Sequence, residues 1–282
     1  MASSDYCVLC GGDGAWAFEP LARDLAAALW VEVSPEPRRL NYLLFTDAVP
    51  LPKGCESFVP LDAIGLAADK RRLAHVFTRA RVPIPETRLF DLWDEVQQFR
   101  ETRAETEWCL KFPTASGASG HRMLTEAAPP KWWPVPFVVQ EFVRLERPEV
   151  YRIYAAGGTT FGWMARRYPT DASTSPWVAH ARGARYERGG EAPEAATAVA
   201  RAALNATGLL GSFGCVDLLQ RPTGEWVALE VGTDGLVNHV DRALGDADME
   251  NEIQRRIAAA FWHWVGVAPP WGTSWRRREL VG

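Results

Sequence analysis

Ser212-Phe213-Gly214-Cys215-Val216-Asp217-Leu218-Leu219-Gln220 and Glu225-Trp226-Val227-Ala228-Leu229-Glu230-Val231 are two short apolar runs, each carrying an acid near its middle or end. Both have strand composition, and Arg221-Pro222-Thr223-Gly224 between them has turn composition. A hairpin closed over Thr223-Gly224 sets Asp217 opposite Glu230. A turn centred on Pro222-Thr223 sets Asp217 opposite Ala228, one diagonal from Glu230. Side chains alternate faces along a strand, so either register leaves both carboxylates on one face. Like charges on an otherwise apolar face repel unless a cation lies between them. Magnesium suits such a pair, because it takes one or two carboxylates and leaves room for phosphate oxygens. The plain alternative is two surface acids on the wet face of an ordinary hairpin.

Working outward, the chain has 282 residues, 47% of them hydrophobic, and a net charge of -4. That length supports one large or two modest cores. The near-neutral charge gives no nucleic-acid footprint, and the basic cluster Arg276-Arg277-Arg278 is expected to be a solvated tail or helix end. No apolar run approaches the length of a membrane span. Met1-Ala2-Ser3-Ser4-Asp5 lacks a charged-then-apolar leader, and five scattered cysteines suit a reducing compartment, so a cytoplasmic location is expected. Cys7-x-x-Cys10 lies inside an apparent strand with no second pair, which favours buried thiols over zinc. The thirteen tryptophans are expected mainly in packing, with some free to line a pocket.

Residues 6–10 form an expected strand, followed by Gly11-Gly12-Asp13-Gly14 and a helix from about Trp16 to Trp30. This is the start of a nucleotide-type α/β unit, without the spacing of the dinucleotide fingerprint or a convincing βαβ unit with a ribose-binding acid. Tyr42–Phe45 and Ser57–Val59 are further strands of this small unit. A second unit begins at Asp69-Lys70 with a helix to Ala80, stopped by Val82-Pro83-Ile84-Pro85. A helix over 91–102 and a strand Trp108–Phe112 come next. Val135–Val143, Tyr151–Ala156 and Thr160–Ala165 add strands, and 192–207 and 248–264 add helices.

Several segments suit anion chemistry. Lys111 ends a strand just before Pro113-Thr114-Ala115-Ser116-Gly117-Ala118-Ser119-Gly120, a loop of small residues with bare N–H groups. It is not a Walker A loop; it has the composition of a mobile flap. Gln140-Glu141-Phe142-Val143 ends a strand in polar groups able to meet an adenine edge. Glu149 and Arg152 share a strand, Arg166-Arg167 end the next, and Arg182 follows in a loop, a recurrence suited to clamping phosphate or carboxylate.

The ordered set Asp69-Lys70, Lys111 with its flap, Gln140–Val143, Glu149 with Arg152, Arg167, Asp217 and Glu230 resembles the ATP-grasp superfamily over about residues 69–240. The resemblance implies an α/β and α+β architecture: a small Rossmann-like N-terminal domain (1–66), then two α+β subdomains (67–143 and 144–282) clasping ATP. It implies that Lys70 and Lys111 contact phosphates under a flap of Ser116, Gly117, Ser119 and Gly120. Glu141, Phe142 and Val143 would form the adenine hinge, with Gln140 as the alternative register, and Glu149 would hold the ribose. Arg152, Arg167 and Arg182 would face the phosphoryl group, and Asp217 and Glu230 would hold Mg²⁺. The family usually has Glu-x-Asn at the second metal strand; here Glu230-Val231-Gly232 lacks the Asn. Asn238, or else Asp234, is the expected replacement. The implied activity is ATP-dependent activation of a carboxylate as an acyl phosphate, then capture by an amine. A small-molecule kinase and a non-catalytic nucleotide-binding protein are the alternatives. Neither nucleic acid nor membrane is an expected partner. Dimers are common in the family, and the sequence leaves the oligomeric state of this chain open.

Overall fold

The computed structural model describes residues 5–12, 15–45, 50–115, 117–169, 175–233 and 247–278. Three sheets organise the chain. The first holds β1 (Tyr6–Cys10), β2 (Glu32–Ser34), β3 (Leu40–Phe45) and β4 (Glu56–Ser57) in the order β2-β1-β3-β4, all parallel. Cys7, Val8 and Leu9 are all buried, the unbroken pattern of a parallel strand covered on both faces. A 3-10 turn (Ala15–Phe18) leads into α1 (Glu19–Leu29), which crosses back to β2. The βαβ unit that the sequence left unconvincing is therefore present. Strand β2 was hidden because it is three residues long with one apolar side chain, and its parallel pairing to β1 holds it in place.

The second sheet has the order β5-β8-β6-β7, formed by β5 (Thr87–Phe90), β6 (Trp108–Lys111), β7 (Arg122–Met123) and β8 (Phe137–Glu141). Its core is separate and aromatic: Trp108, Trp133 and Phe137 pack with Val96, Leu110 and Val139. Val96 comes from α4 (Trp93–Thr102). The third sheet is antiparallel, in the order β11-β10-β9-β12-β13, with β9 (Glu149–Ala156), β10 (Thr159–Arg167), β11 (Arg185–Arg188), β12 (Phe213–Gln220) and β13 (Trp226–Gly232). Helix α5 (Glu194–Ala206) packs on β12 and β13.

One hydrophobic cluster joins the first and third sheets. It runs from Leu21, Leu25 and Leu29 of α1 to Ile253, Ile257 and Phe261 of the C-terminal helix α6 (Ala247–Val265). Leu73 and Phe77 of α3 (Lys70–Arg79) join it too, so this core continues across residue 66. Helix α2 (Leu61–Ala68) lies beside β13.

The C-terminal tryptophans satisfy the carbonyls that α1 leaves open at its end. The indole N–H groups of Trp262 and Trp275 donate to Leu29 and Ala28 (2.9 and 3.1 Å), and the Arg278 N–H donates to Ala27 (3.1 Å). Trp30 in turn donates to the Arg276 carbonyl at 2.8 Å, and Arg277 pairs with Asp24. The segment is thus strapped to α1, while the side chains of Arg276, Arg277 and Arg278 stay exposed. Among the described residues no helix is long and apolar enough to cross a membrane.

Candidate functional site

Two β-bulges decide which side chains meet. At the tip of the β12–β13 hairpin, Gln220 faces Trp226 and Leu218 faces Ala228. Continued unbroken, that register would set Asp217 against Leu229 and turn Glu230 to the other face. An extra residue in β13 shifts the ladder between Asp217 and Leu218, and Asp217 faces Glu230 directly. The closed turn spans more residues than either sequence register allowed, and the bulge restores the shared face.

The second bulge lies in β10. Phe161 faces Tyr154, but Met164 faces Arg152, so Gly162 and Trp163 together oppose Ile153. Gly162 has φ +71, and a Cβ there would lie 2.9 Å from the Tyr154 ring. Only glycine fits this left-handed, crowded position without strain. An unbroken ladder would put Arg167 on the face of Arg152. With the bulge, Arg166 takes that place and Arg167 turns away.

The outcome is a band of polar side chains across all five strands: Tyr186, Arg166, Arg152, Asp217 and Glu230. They form one wall of a cavity of about 790 Å³ between the second and third sheets. Asp217 is 2% exposed. Its Oδ1 accepts from Arg152 Nε at 2.7 Å, and its Oδ2 accepts from Arg152 Nη2 at 3.1 Å and Arg166 Nη2 at 2.8 Å. The Tyr186 hydroxyl accepts from Arg166 Nη1 at 3.2 Å, and both guanidiniums lie 5.6 Å from its ring centre. Burial works to raise the Asp217 pKa, but the charges of Arg152 and Arg166 outweigh it and hold the carboxyl well below the usual range. Two guanidiniums share the Asp217 carboxylate, and Glu230 on the same wall supplies the second negative charge.

The opposite wall adds lysines. Lys70 opens α3, where Asp69 caps the helix by accepting from the Arg71 N–H at 2.9 Å. The Lys70 N–H donates to the Pro113 carbonyl at 3.0 Å and its Nζ to the Ala115 carbonyl at 2.6 Å, so it anchors the flap at its root. Burial lowers the Lys70 pKa; the charge of Glu230 opposes this and that of Lys111 adds to it. Lys111 and Glu230 also line the cavity.

Of the flap, Gly117 lines the cavity while Ser119 and Gly120 are exposed at its outer side; Ser116 lies outside the described residues. Arg182 does not line the cavity. Its Nη2 donates to the Ala118 carbonyl at 3.2 Å, tying the flap to the 3-10 turn His180–Arg182. Arg167 is likewise removed from the cavity: it pairs with Glu149 (2.7 Å) and Glu187 (3.1 Å) and donates to the Tyr151 hydroxyl at 3.1 Å. Glu149 lines the cavity but is engaged by Arg167 and by the Tyr151 hydroxyl at 2.6 Å.

Glu141, Phe142 and Val143 form a strip along the cavity edge. The Glu141 N–H donates to the Glu86 carbonyl at 2.8 Å and the Phe142 N–H to the Glu107 carbonyl at 2.7 Å. Among the described residues the Val143 N–H has no backbone acceptor. The Gln140 side chain donates to Thr87 Oγ1 at 2.9 Å. The Glu141 carboxylate is held by both Nη atoms of Arg221, the second at 2.7 Å, which lashes the hairpin turn to this strip.

Tyr186, Arg221 and His121 escaped the sequence reading as site residues, and Arg166 entered it only among the recurring arginines, with the phosphoryl-facing role given to Arg167. Arg166 was hidden by the bulge, whose sequence signal is Gly162 inside a strand. Tyr186 sits on β11, a four-residue strand of mostly charged residues. Asn238 and Asp234 lie outside the described residues.

The donor set can be weighed against Mg²⁺. Among the described residues no three His, Cys, Asp or Glu side chains gather as a metal cluster. Glu230, half-buried on the cavity wall, suits a metal that needs one or two carboxylates with open positions. A carboxylate has roughly four lone-pair positions, and guanidinium donors fill three of those on Asp217. The position left on Oδ1 admits Asp217 as one monodentate ligand.

No protein-family model matches the chain, and no curated protein sequence does. Solved structures do. PsnB, an ATP-grasp ligase complexed with a phosphomimetic variant of its minimal precursor, Mg and ADP, is similar over 93% of this chain and 100% of its own, with TM-score 0.64 and 14% identity. The D-alanine–D-alanine ligase of Bacillus anthracis, complexed with ATP, is similar over 92% and 97%, with TM-score 0.62 and 12% identity. D-cycloserine synthetase DcsG gives 91% and 99%, with TM-score 0.59 and 14% identity. At these identities the likeness is one of fold, and the chain has the ATP-grasp fold.

Proposed function

We propose that this chain is an ATP- and Mg²⁺-dependent ligase that activates a carboxylate as an acyl phosphate and joins it to an amine, releasing ADP and phosphate. The observation that carries the reading is the band Tyr186, Arg166, Arg152, Asp217 and Glu230 facing Lys70 and Lys111 across one cavity. The similar folds are those of ATP-grasp ligases, which supports the same class of chemistry.

When bound, ATP supplies the phosphoryl group and Mg²⁺ the charge that steadies it. The chain's residues do the rest. Lys70 and Lys111 bind the phosphates, and the Val143 N–H with the Glu141 carbonyl meets the adenine edge. Glu149 receives the ribose. Arg152 and Arg166 face charge developing on the transferred group; held by Asp217, they need not reorganise during the reaction. The flap excludes water that would hydrolyse an acyl phosphate. Glu230 and Asp217 hold the metal, with Asn238 as the third ligand in place of the missing Asn at Gly232. Residues 67–143 and 144–282 act as the two lobes that close on nucleotide, and residues 1–66 reach the cavity through Phe18 and Ile64. The substrates are small molecules or peptides carrying the carboxylate and the amine.

Incubation with ATP, Mg²⁺ and a panel of amino acids and peptides, followed by mass spectrometry, tests this. ADP and phosphate formed together with an amide are expected. A stable phosphorylated product without phosphate release would instead make the chain a kinase, and absence of turnover with intact nucleotide binding would make it a non-catalytic binder.

A further inference from the structure

His121 follows the flap and lines the cavity, yet none of the roles above uses it. Its Nδ1 lies 3.2 Å from the Ser119 carbonyl. In the neutral ring that contact places the proton on Nδ1 and leaves the lone pair on Nε2. The ring meets Trp177 edge-on, with centroids 5.7 Å apart, and Trp177 packs the same way on Phe142 at 5.1 Å. The imidazole therefore lies between the flap and Trp177 of the loop after β10, and Trp177 in turn rests on Phe142 of the hinge strip.

The charges acting on it come from three elements and share one sign: Lys111 of β6, Lys70 of α3 and Arg182 of the 3-10 turn. We propose that His121 is a proton-linked nucleotide contact: neutral in the free cavity, it takes a proton from solvent when a polyphosphate settles between Lys70 and Lys111, and its Nε2–H then donates to a phosphoryl oxygen. The proton comes from bulk water, and no bond of the nucleotide breaks in this step. Burial first, then Lys111, Lys70 and Arg182, depress the His121 pKa to about 3 in the free protein. One opposite charge within hydrogen-bonding reach raises a pKa by about 1–3 units. A diphosphate or triphosphate brings several such charges, enough to return His121 to the range of an ordinary histidine. Its protonation would thus follow nucleotide occupancy, locking the flap only over a filled site.

The proposal rests on the nucleotide reading of the cavity, and the test separates the two. Ring-nitrogen NMR spectra of ¹⁵N-labelled protein at about pH 6, with and without saturating ADP and without metal, report each histidine's protonation state. The His121 signal is identified by its loss in His121→Asn. A neutral Nδ1–H ring in the free protein and an imidazolium in the ADP complex are expected. Calorimetry should then show ADP affinity falling from pH 6 to pH 8 relative to His121→Asn by about fourfold, the linkage expected when binding restores the ordinary histidine pKa of about 6.5. Binding of ADP with His121 still neutral, or an imidazolium already present in the free protein, would overturn the proposal while leaving the nucleotide site standing. Failure of ADP to bind at all would remove both.

Discussion

Taking the charge from Asp217 strips Arg152 and Arg166 of the buried carboxylate that both of them hold, and a buried charge stripped of its partner costs about 3–5 kcal/mol. Asp217→Asn should lose stability of that order in urea unfolding; a loss below about 1 kcal/mol would mean that the arginines find other partners. The same carboxylate sets an acid limit. Its folded pKa is depressed below the unfolded value. Its contribution is therefore complete above the unfolded value, about 3.9, and is lost as pH falls through that value towards the folded one. Stability measured from about pH 5 downwards should fall in the wild type and fall less steeply in Asp217→Asn. Residue identities at this site were largely legible in the sequence, because charged residues in apolar strands stand out. Lys70, Lys111, Arg152, Glu149, Asp217 and Glu230 all line the one cavity. What composition does not encode is which neighbour of a dipeptide faces inward, and Arg167 was expected where Arg166 stands.

At the scale of elements, the bulges are responsible for that difference. Arg166→Ala should lower ATP-dependent turnover by at least about 10²-fold, the usual weight of one charge-stabilising donor, while Arg167→Ala changes it only a few-fold. The reverse order would mean that β10 runs without its extra residue when substrate is bound. Gly162→Val tests the bulge itself. A β-branched residue at φ +71, pressed on the Tyr154 ring, should cost about 1–3 kcal/mol by strain alone. It should also depress turnover more than the lost stability explains. Unchanged unfolding would show that the bulge relaxes. Regular elements with strong periodicity, such as α3, α5 and α6, were legible because packing and pattern agree. Strands β2, β5, β7 and β11 were not, because each is short and takes its stability from its neighbours rather than from its own side chains.

Across the whole molecule, the first and third sheets share one core, with the C-terminal tryptophans closing the end of α1, while the second sheet keeps its own aromatic core. The lobe carrying the hinge strip and flap meets the rest through polar links, Arg221 with Glu141 and Arg182 with the Ala118 carbonyl, and through Trp177, which packs edge-on against Phe142 and His121. Two cores and polar links suit a lobe that moves over a ligand. The small N-terminal unit and the strand-rich C-terminal half were legible as separate patterns, but their common core was not, since no local pattern marks contacts between residues more than two hundred positions apart. On the proposed function, the cavity binds nucleotide with magnesium held by Glu230. Calorimetry with ADP, with and without Mg²⁺, on the wild type and Glu230→Gln tests it most directly. Binding that Mg²⁺ strengthens is expected in the wild type, and a folded variant in which that strengthening is gone. Absence of binding at millimolar nucleotide, or Mg²⁺ dependence unchanged in Glu230→Gln, would contradict it.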